Sequence, residues 1–380
     1  MLDGVHYETG QRIRVTIKGG IIASVEDLET STLEADRLPV IAPGLVDLQV
    51  NGYKGVDFNA PGLIVEQVQL VSLELLRTGV TGYYPTLITG PEDRTLATLE
   101  VISEAMRSPG PARSMINGIH MEGPFICRED GPRGAHPAAY CMEPDPDLVG
   151  RWNKASGGMV RIVTLAPELP GSEDLIRACR EMGITVGIGH TAADSGVIHD
   201  AVLAGATLST HLGNGCHNIL PRHPNYIWDQ LAEDELYASM IADGYHLPDA
   251  VLKVFIRVKG EKAILVSDSM TYSGMPPGVY ESPATGKVRL TEEGKLHMEG
   301  DPGTLAGSAS KISDGIRKIT DLENFPYAWN MASLHPNRLM ELPAARGIAA
   351  GAPASLVMLN QGEPVPEIQS VICKGMVQEP

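Results

Sequence analysis

Four side chains that could bind and use a metal ion stand at the ends of short apolar segments. They are Glu122 in "GIHMEG", His190 at the end of "TVGIGH", His211 at the end of "TLSTH" and Asp268 at the end of "AILVSD". Two imidazoles and one carboxylate suit zinc or ferrous iron, and a catalytic site of this type leaves one coordination position for water. Asp268 would then be the general base for that water. The set predicts metal-assisted chemistry on a water molecule.

Each of these residues also has an ordinary structural role open to it. A single histidine after a strand is often a hydrogen-bonded loop or core residue. Glu122 precedes Gly-Pro and could cap a turn, and Asp268 precedes a serine and could begin a helix. Their shared placement at the ends of apolar runs favours one common site.

A second group of polar positions could surround a substrate. Its members are His136 in "PRGAHP", Asn214 and Gly215 in "HLGNGCHN", Arg222 in "LPRHPN" and His246 in "ADGYHL". Asparagine and exposed backbone amides bind phosphate or carboxylate oxygens, and arginine can do so with two hydrogen bonds. A surface ion pair is the ordinary alternative for Arg222. The Gly-rich "GTLAGSAS" lacks the pattern of a P-loop, which argues against a phosphate cradle there.

The segments that carry these residues indicate a parallel barrel. Short apolar runs alternate with helical stretches from about residue 44 to residue 346, and about eight such β/α units can be counted. This pattern predicts an α/β fold, a (β/α)8 TIM-like barrel. The polar residues after each run would then meet at the carboxyl-terminal face of the barrel, where such barrels build active sites.

The sequence at both ends of the chain predicts short strands instead. "RIRVTIKGGIIASVEDL" alternates apolar and polar residues around a Gly-Gly break, and "GAPASLVMLN" and "EIQSVICKGMVQ" are similar. We expect residues 1–43 and 347–380 to form one small β-sandwich domain, and residues 44–346 to form the barrel.

Composition excludes several classes of function. The chain has 380 residues and a net charge of −17, which disfavours nucleic acid and anionic membranes as partners. The sequence does not begin with a basic segment followed by an apolar one, and it contains no apolar run of 18 residues. We therefore expect neither a signal peptide nor a membrane span. The five cysteines contain no CxxC pair. Reduced thiols and a cytoplasmic location are predicted.

Eight motifs together resemble the N-acetylglucosamine-6-phosphate deacetylases of the amidohydrolase superfamily. They are "APGLVDLQVNGYKGVDFN", "GIHMEGPF", "GIGHT", "THLGN", "IADGYH", "LVSDSM", "GTLAGSAS" and "ASLHPNRLM…GIAAGAPASLVML", in the order of the family. The resemblance implies a metal-dependent hydrolase barrel with a small β domain made from both chain ends, usually in a homodimer. It also implies hydrolysis of the acetamide of an amino-sugar phosphate to acetate and the free amine.

The first strand is informative about the number of metal ions. Some members of the family have His-x-His there and can hold two ions, whereas others have Gln-x-Asn and hold one. This chain has Gln49 and Asn51. The resemblance therefore implies one divalent cation per subunit, zinc or alternatively iron, bound by Glu122, His190 and His211.

The same resemblance implies a role for the remaining residues. Asp268 takes a proton from the attacking water and returns it to the leaving amine, while His246 binds the sugar and helps polarise the carbonyl. His136 lies near the substrate. The phosphate is contacted by Asn214, Gly215 and Arg222, the last of which can come from the neighbouring subunit.

Three loops depart from the usual wording of the family and leave alternatives open. They are "REDGPRG" before His136, "HLGNGCHNILPRHPN" and "SMTYSGMPPG". Because they would shape the sugar and phosphate pockets, a related amidohydrolase that deacylates a different or non-phosphorylated N-acyl amino sugar is an alternative. A non-enzymatic sugar-binding barrel is another, since a fold alone does not fix a function.

Overall fold

A computed structural model describes residues 1–28, 38–282, 286–361 and 366–378. Its strands are β1 (Leu2–His6), β2 (Arg12–Lys18), β3 (Ile21–Asp27), β4 (Val40–Pro43), β5 (Leu45–Val50), β6 (Gly52–Tyr53), β7 (Val56–Asp57), β8 (Val80–Ile88), β9 (Ile119–Glu122), β10 (Val160–Leu165), β11 (Thr185–Ile188), β12 (Ala206–Ser209), β13 (Tyr237–Ile241), β14 (Ala263–Val266), β15 (Gly278–Ser282), β16 (Gly286–Leu290), β17 (Leu296–Met298), β18 (Asp301–Leu305), β19 (Leu356–Leu359), β20 (Ile368–Cys373) and β21 (Met376–Gln378).

The helices lie mostly between the central strands. They are α1 (Val65–Leu76), α2 (Glu92–Arg107), α3 (Ala112–Met115), α4 (Pro146–Ala155), α5 (Ser172–Glu181), α6 (Ser195–Ala204), α7 (Tyr226–Ala232), α8 (Asp249–Lys259), α9 (Ile312–Thr320), α10 (Phe325–Met331) and α11 (Leu334–Leu339). Short 3-10 turns cover Ala138–Tyr140, Gly260–Lys262 and Pro343–Arg346. Every helix among the described residues is too short or too polar to cross a bilayer.

Eight parallel strands form the predicted barrel. They are hydrogen-bonded in the order β5, β8, β9, β10, β11, β12, β13, β14. A parallel bridge between Val50 and Ser269 brings the last strand back to the first, and the Ser267 hydroxyl donates to the Gln49 carbonyl. The strands are nearly continuous apolar runs because both of their faces are covered, one by helices and the other by the barrel interior. The (β/α)8 prediction is confirmed.

The helices fold where the sequence provides a buried stripe and a capping residue. In α5, for example, Leu175, Ile176 and Cys179 are buried while the opposite face is charged. Asp194 and Asn225 accept backbone N–H groups at the beginnings of α6 and α7, which compensates donors that have no partner within the helix. The helices thereby hold each strand end at the same rim.

The two chain ends form one seven-stranded sheet outside the barrel. Its order is β21, β20, β19, β4, β1, β2, β3, so strands from both termini meet in the middle of the sheet. The indole N–H of Trp329 donates to the Pro43 carbonyl and joins the barrel to this sheet. The terminal β domain is thus present, whereas its exact boundaries at residues 43 and 347 stay predictions.

A four-stranded antiparallel sheet between β14 and α9 was not predicted from the sequence. It contains β15 to β18 in chain order and packs Val288, Leu290 and Leu296 against Tyr272. The hydroxyl of Tyr245, in the loop after β13, donates to the Glu293 carbonyl at one turn of this sheet. We call β15–β18 the insertion sheet.

Asp47 lies buried where the barrel closes. Its Oδ1 accepts the backbone N–H groups of Gln49 at 3.3 Å and of Ser267 at 3.2 Å, and so joins β5 to the end of β14. Burial raises the pKa of Asp47 to about 7, against the hydrogen bonds from Ser267 and Gln49, which favour the carboxylate. A buried acid with this pKa makes closure of the barrel sensitive to pH.

We predict that Asp47→Asn weakens the pH dependence of unfolding. Because the folded pKa of about 7 lies above the unfolded value of 3.8, the folded state binds the proton more tightly. The stabilising contribution of protonated Asp47 is therefore complete below about pH 4 and is lost as the pH rises to about 7. The free energy of unfolding of the variant should gain up to about 4 kcal/mol relative to wild type between about pH 4 and about pH 8. Urea unfolding at several pH values measures it.

Asp174→Asn is the matched control, since Asp174 is exposed on α5. Its unfolding free energy should follow that of the wild type at every pH. Parallel curves for Asp47→Asn and wild type would contradict the prediction.

Candidate active site

One carboxylate oxygen, Oε1 of Glu122, is the centre of the site. Nε2 of His211 lies 2.8 Å from it and Nε2 of His190 lies 3.2 Å from it. Gln49 approaches the same oxygen, with its Nε2 at 2.9 Å. The three predicted ligands are buried, with side chains at most 7% exposed. Glu122 ends β9, and His190 and His211 each stand two residues beyond the ends of β11 and β12.

The donor set fits a divalent transition metal. Nδ1 of His190 lies 2.8 Å from the Pro132 carbonyl, which can only accept, so Nδ1 carries a proton and Nε2 is the nitrogen that faces Glu122. A divalent cation would bind the Nε2 atoms of both histidines and the Glu122 oxygen in place of the hydrogen bonds between them. Burial raises the pKa of Glu122, but the two imidazoles outweigh it and hold that pKa well below its ordinary value.

A third imidazole stands next to this group. Ligand atoms of Glu122, His136 and His190 all lie within 4.8 Å of one another, and the rings of His136 and His190 meet edge to face at 4.4 Å. Thr89, just after β8, hydrogen-bonds Nδ1 of His136 at 2.8 Å. Burial lowers the pKa of His136 to about 3, so its ring is neutral at physiological pH. His136 thus lies where it could contact either the cation or the substrate.

Asp268 stands on the other side of the rim, two residues beyond β14. Its Oδ1 accepts the amide N–H of Asn51 at 2.7 Å. Burial, together with the charge of Glu122, raises the pKa of Asp268 to about 6. A carboxyl group with such a pKa can both accept and donate a proton near neutral pH, as a general acid–base group must.

Three of these residues adopt left-handed backbone conformations. Only six non-glycine residues in the described chain have positive φ, and three of them are His190 (52°), His211 (31°) and Asp268 (47°). Such conformations are uncommon outside glycine and cluster at functional sites. The same turn geometry after β11, β12 and β14 directs all three side chains inward from the strand ends.

The first-strand pair binds the two carboxylates of the site. Gln49 donates to Glu122 and Asn51 donates to Asp268, from positions two residues apart that point to the same side of the strand. A carboxylate can only accept, so the amide nitrogens must face it. The sequence predicted that the pair gave up metal binding. These contacts agree with that hypothesis. They also give both residues a structural role, since Gln49 positions the carboxylate of Glu122 and Asn51 positions that of Asp268.

His246 is held by a residue that the sequence reasoning missed. Asp243 accepts Nδ1 of His246 at 2.6 Å through one carboxylate oxygen and the backbone N–H of His246 through the other. Burial raises the pKa of Asp243, but the contact with His246 dominates and the pKa is lowered. The spacing Asp-x-x-His in "ADGYH" could have indicated it, because a short loop allows such a contact.

His120 was also missed, although it lies in a quoted motif. Its Nδ1 donates to the Leu48 carbonyl at 3.0 Å, so its Nε2 accepts from Thr164, which accepts in turn from Thr210. Burial lowers the pKa of His120 to about 4. This chain of hydrogen bonds crosses the barrel interior between β5, β9, β10 and the residue that precedes His211.

The predicted phosphate residues are divided between the site and the surface. Asn214 is half-buried and donates to the His211 carbonyl at 3.2 Å, and Gly215 packs against the ring of His190. Arg222 is exposed in the segment 221–224, and no hydrogen bond or ion pair in the described chain connects it to the site. The structure therefore brings together Glu122, His136, His190, His211, Asn214, Gly215 and Asp268, but not Arg222.

Comparisons with known proteins find deacetylases of amino-sugar phosphates among the similar chains. No family model matches the chain. N-Acetylglucosamine-6-phosphate deacetylase from Bos taurus is 36% identical over 84% of this chain and 80% of its own. N-Acetylgalactosamine-6-phosphate deacetylase from Escherichia coli O157:H7 is 29% identical over 93% and 92%. The Mycobacterium smegmatis N-acetyl-D-glucosamine-6-phosphate deacetylase, solved as an Asp-to-Ala mutant with N-acetyl-D-glucosamine-6-phosphate, superimposes with a TM-score of 0.83 at 28% identity, covering 96% and 94%.

We predict that Gly215→Ala weakens metal binding through His190. A Cβ at position 215 would lie 2.7 Å from Nδ1 and 2.8 Å from Cε1 of the His190 ring, so the ring must move. Displacing a ligand in this way should weaken metal affinity about 10- to 100-fold. Competition with a chromophoric chelator measures the dissociation constant.

Gly183→Ala controls for backbone strain. Gly183 also has positive φ, at 70°, but no atom lies within 4 Å of an added Cβ. That variant should bind metal as tightly as wild type. Equal metal affinity of the two variants would show that the prediction is wrong.

Proposed function

The chain belongs to the N-acetylglucosamine-6-phosphate deacetylase family, and we propose that it hydrolyses the acetamide of N-acetylglucosamine-6-phosphate to glucosamine-6-phosphate and acetate. The observation that carries this proposal is the convergence of Glu122, His190, His211 and Asp268 at one rim of the barrel, in a chain 36% identical to a deacetylase of that name. A non-enzymatic sugar-binding barrel would need neither this donor set nor a buried carboxyl group beside it.

We propose that Glu122, His190 and His211 hold one divalent metal ion per subunit. The ion supplies Lewis acidity, which activates a water molecule and polarises the acetyl carbonyl. Zinc is the proposed metal and iron is the alternative, because two imidazoles and a carboxylate suit both. Gln49 and Asn51 support a single ion, since their amide N–H groups are already bound to Glu122 and Asp268.

Asp268 carries the proton in the proposed reaction. Its carboxylate takes a proton from the attacking water and then donates it to the amine nitrogen, which is too basic to leave without it. Asn51 holds Oδ1 in place during both transfers. The raised pKa of Asp268 suits this exchange because the acid and the base forms differ little in free energy near neutral pH.

His246 and His136 complete the pocket for the sugar. Asp243 holds Nδ1 of His246, which leaves Nε2 to meet the sugar and the acetyl carbonyl. Thr89 holds Nδ1 of His136, which leaves Nε2 of that ring free on the side of His190. Rings fixed in this way can contact the sugar and the acetyl carbonyl without further reorganisation.

The phosphate would be bound by Asn214, the backbone of Gly215 and Arg222, with Arg222 supplied by the second subunit of a homodimer. Two observations support a dimer. The first is that Arg222 is exposed in the single chain. The second is that large apolar side chains are exposed on neighbouring helices and the adjoining loop, namely Leu203 on α6, Ile219, Trp228 on α7 and Val258 on α8. The substrate class and the unpaired cysteines, of which all five are free, support a cytoplasmic enzyme.

N-Acetylgalactosamine-6-phosphate is the second candidate substrate. A relative of that specificity is 29% identical over 93% of this chain, and the two sugars differ only in the configuration at C4. The metal, Asp268 and the acetamide would be arranged in the same way for both. Relative kcat/KM values on the two sugar phosphates decide between them.

We predict that Asp268→Asn abolishes turnover but not metal binding. The amide keeps the shape of the side chain and an oxygen for Asn51, but it cannot exchange a proton at neutral pH. We expect kcat to fall about 10³-fold or more, with metal content near that of wild type. Asp174→Asn, on exposed α5, should leave both unchanged. Substantial residual turnover in Asp268→Asn would exclude the assigned role.

We predict that Arg222→Ala removes the advantage of a phosphorylated substrate. The wild type should prefer N-acetylglucosamine-6-phosphate over N-acetylglucosamine in kcat/KM, because arginine binds phosphate in a bidentate manner. The variant should lose most of that ratio, whereas Arg113→Ala, a change at another exposed arginine, should retain it. No gain from phosphate in the wild type would favour the non-phosphorylated alternative.

Mixed dimers test whether Arg222 acts across the interface. If it does, a dimer of one Arg222→Ala and one Asp268→Asn subunit contains one intact site, made of Asp268 from the first and Arg222 from the second. Refolding the two variants together should then recover part of the phosphate-dependent activity. No recovery, in samples shown to contain mixed dimers, would place Arg222 at the site of its own subunit.

A further inference from the structure

Two buried acceptor atoms at the site have no partner in the described chain. They are Oε1 of Gln49 and Oδ1 of Asn51, the oxygens of the two carboxamides whose nitrogens hold Glu122 and Asp268. Leaving a buried carbonyl oxygen without a hydrogen bond costs roughly 1–3 kcal/mol. A ligand that donates a hydrogen bond to such an oxygen would recover this cost. Both stand on the strand end that faces the proposed reacting groups.

The orientation of Asn51 follows from its contact with Asp268. The amide nitrogen lies 2.7 Å from Oδ1 of Asp268, and a carboxylate oxygen accepts only, so the oxygen of Asn51 must be the atom that points elsewhere. Asp268 must come within hydrogen-bond distance of the scissile nitrogen to protonate it. The Asn51 oxygen belongs to the same carboxamide that contacts this carboxylate, which makes it a candidate acceptor for a group bound against Asp268.

The scissile amide brings a donor into this place. The amide nitrogen carries one hydrogen. When the acetamide is bound in a closed site, this N–H can no longer donate a hydrogen bond to bulk water. As water adds to the carbonyl carbon, the nitrogen becomes pyramidal, and its lone pair must face the proton on Asp268. An acceptor on the N–H holds the nitrogen in that orientation. The C–N bond then breaks, the water supplies OH to the acetate, and the amine keeps its hydrogen and gains one from Asp268.

We propose that Oδ1 of Asn51 accepts the acetamide N–H of the substrate and that this contact makes the site selective for secondary amides over esters. This inference rests on the proposed deacetylase activity and assigns a residue that selects the class of acyl bond. Gln49, by contrast, is a positioning residue for the carboxylate of Glu122, and its own oxygen is not assigned to the acetamide N–H.

The experiment compares one bond type with another in the same metal-loaded enzyme. N-Acetylglucosamine-6-phosphate is assayed beside the freshly prepared 2-O-acetyl ester of glucose-6-phosphate, which has no hydrogen at the bridging atom. Asn51→Leu removes both functions of the carboxamide. Loss of the contact with Asp268 slows both substrates and slows the amide more, because its amine must be protonated to leave. The ratio of the two kcat/KM values is therefore read together with the dissociation constants described below, which involve no proton transfer. We expect the amide-to-ester ratio to fall on the order of 10- to 100-fold relative to wild type.

Gln49→Leu is the matched control, because it removes a carboxamide two residues away on the same strand. It should weaken metal binding and slow both substrates alike, with an unchanged amide-to-ester ratio. Asn51→Ala repeats the test without adding bulk in case the leucine variant does not fold, which thermal melting and metal content reveal.

A second measurement needs no turnover. In an Asp268→Asn background, which keeps an oxygen for the Asn51 amide N–H, calorimetry compares the dissociation constants of the amide and the ester before and after the further substitution Asn51→Leu. The amide should lose affinity on substitution and the ester should not. Equal losses for amide and ester, or a changed ratio in Gln49→Leu alone, would overturn the proposal while leaving the deacetylase activity in place. A wild type that cleaves neither substrate would refute the proposed function itself.

Discussion

The arrangement of the rest of the site depends on a single buried carboxylate, that of Glu122. An isolated charge at that depth is costly, so the fold must bring compensating groups to it from several strands at once. Two imidazoles and one carboxamide arrive from β11, β12 and β5, and all meet the same oxygen. Only a closed parallel barrel places the carboxyl ends of these separate strands around one point. The architecture is therefore tied to the chemistry through this one atom.

Around that point, backbone and side-chain oxygens contact Nδ1 of three imidazoles. The Pro132 carbonyl takes Nδ1 of His190, Thr89 takes Nδ1 of His136 and Asp243 takes Nδ1 of His246. In each case Nε2 is left to face the interior. These outer contacts come from loops rather than strands, so the barrel supplies the position of each ring and the loops supply its proton arrangement.

The strand pattern and the motif order made the barrel, the terminal sheet and the residues at the rim predictable from the sequence. Period-two and apolar-run patterns report on local burial, and a parallel barrel is built from such local units. The insertion sheet was missed because its strands are short and largely exposed, so they carry little hydrophobic signal. Asp243 and the task of Gln49 were missed because both depend on contacts, Asp243 with His246 and Gln49 with Glu122, that only the folded loops and barrel create. The phosphate contact predicted for Arg222 is not seen among the described residues, because this side chain is exposed on a loop.

The left-handed turns after three of the barrel strands restrict how this site could be redesigned. At such φ values glycine, asparagine, aspartate and histidine are tolerated, whereas β-branched or bulky side chains are strongly disfavoured. Only a few residue types are thus favoured at the positions of His190, His211 and Asp268, and these types include acids, bases and metal ligands. A combinatorial library aimed at a new reaction would sample these positions with those four residue types alone. The backbone at Glu122, which lies at the end of a regular strand, imposes no such restriction on the residue type.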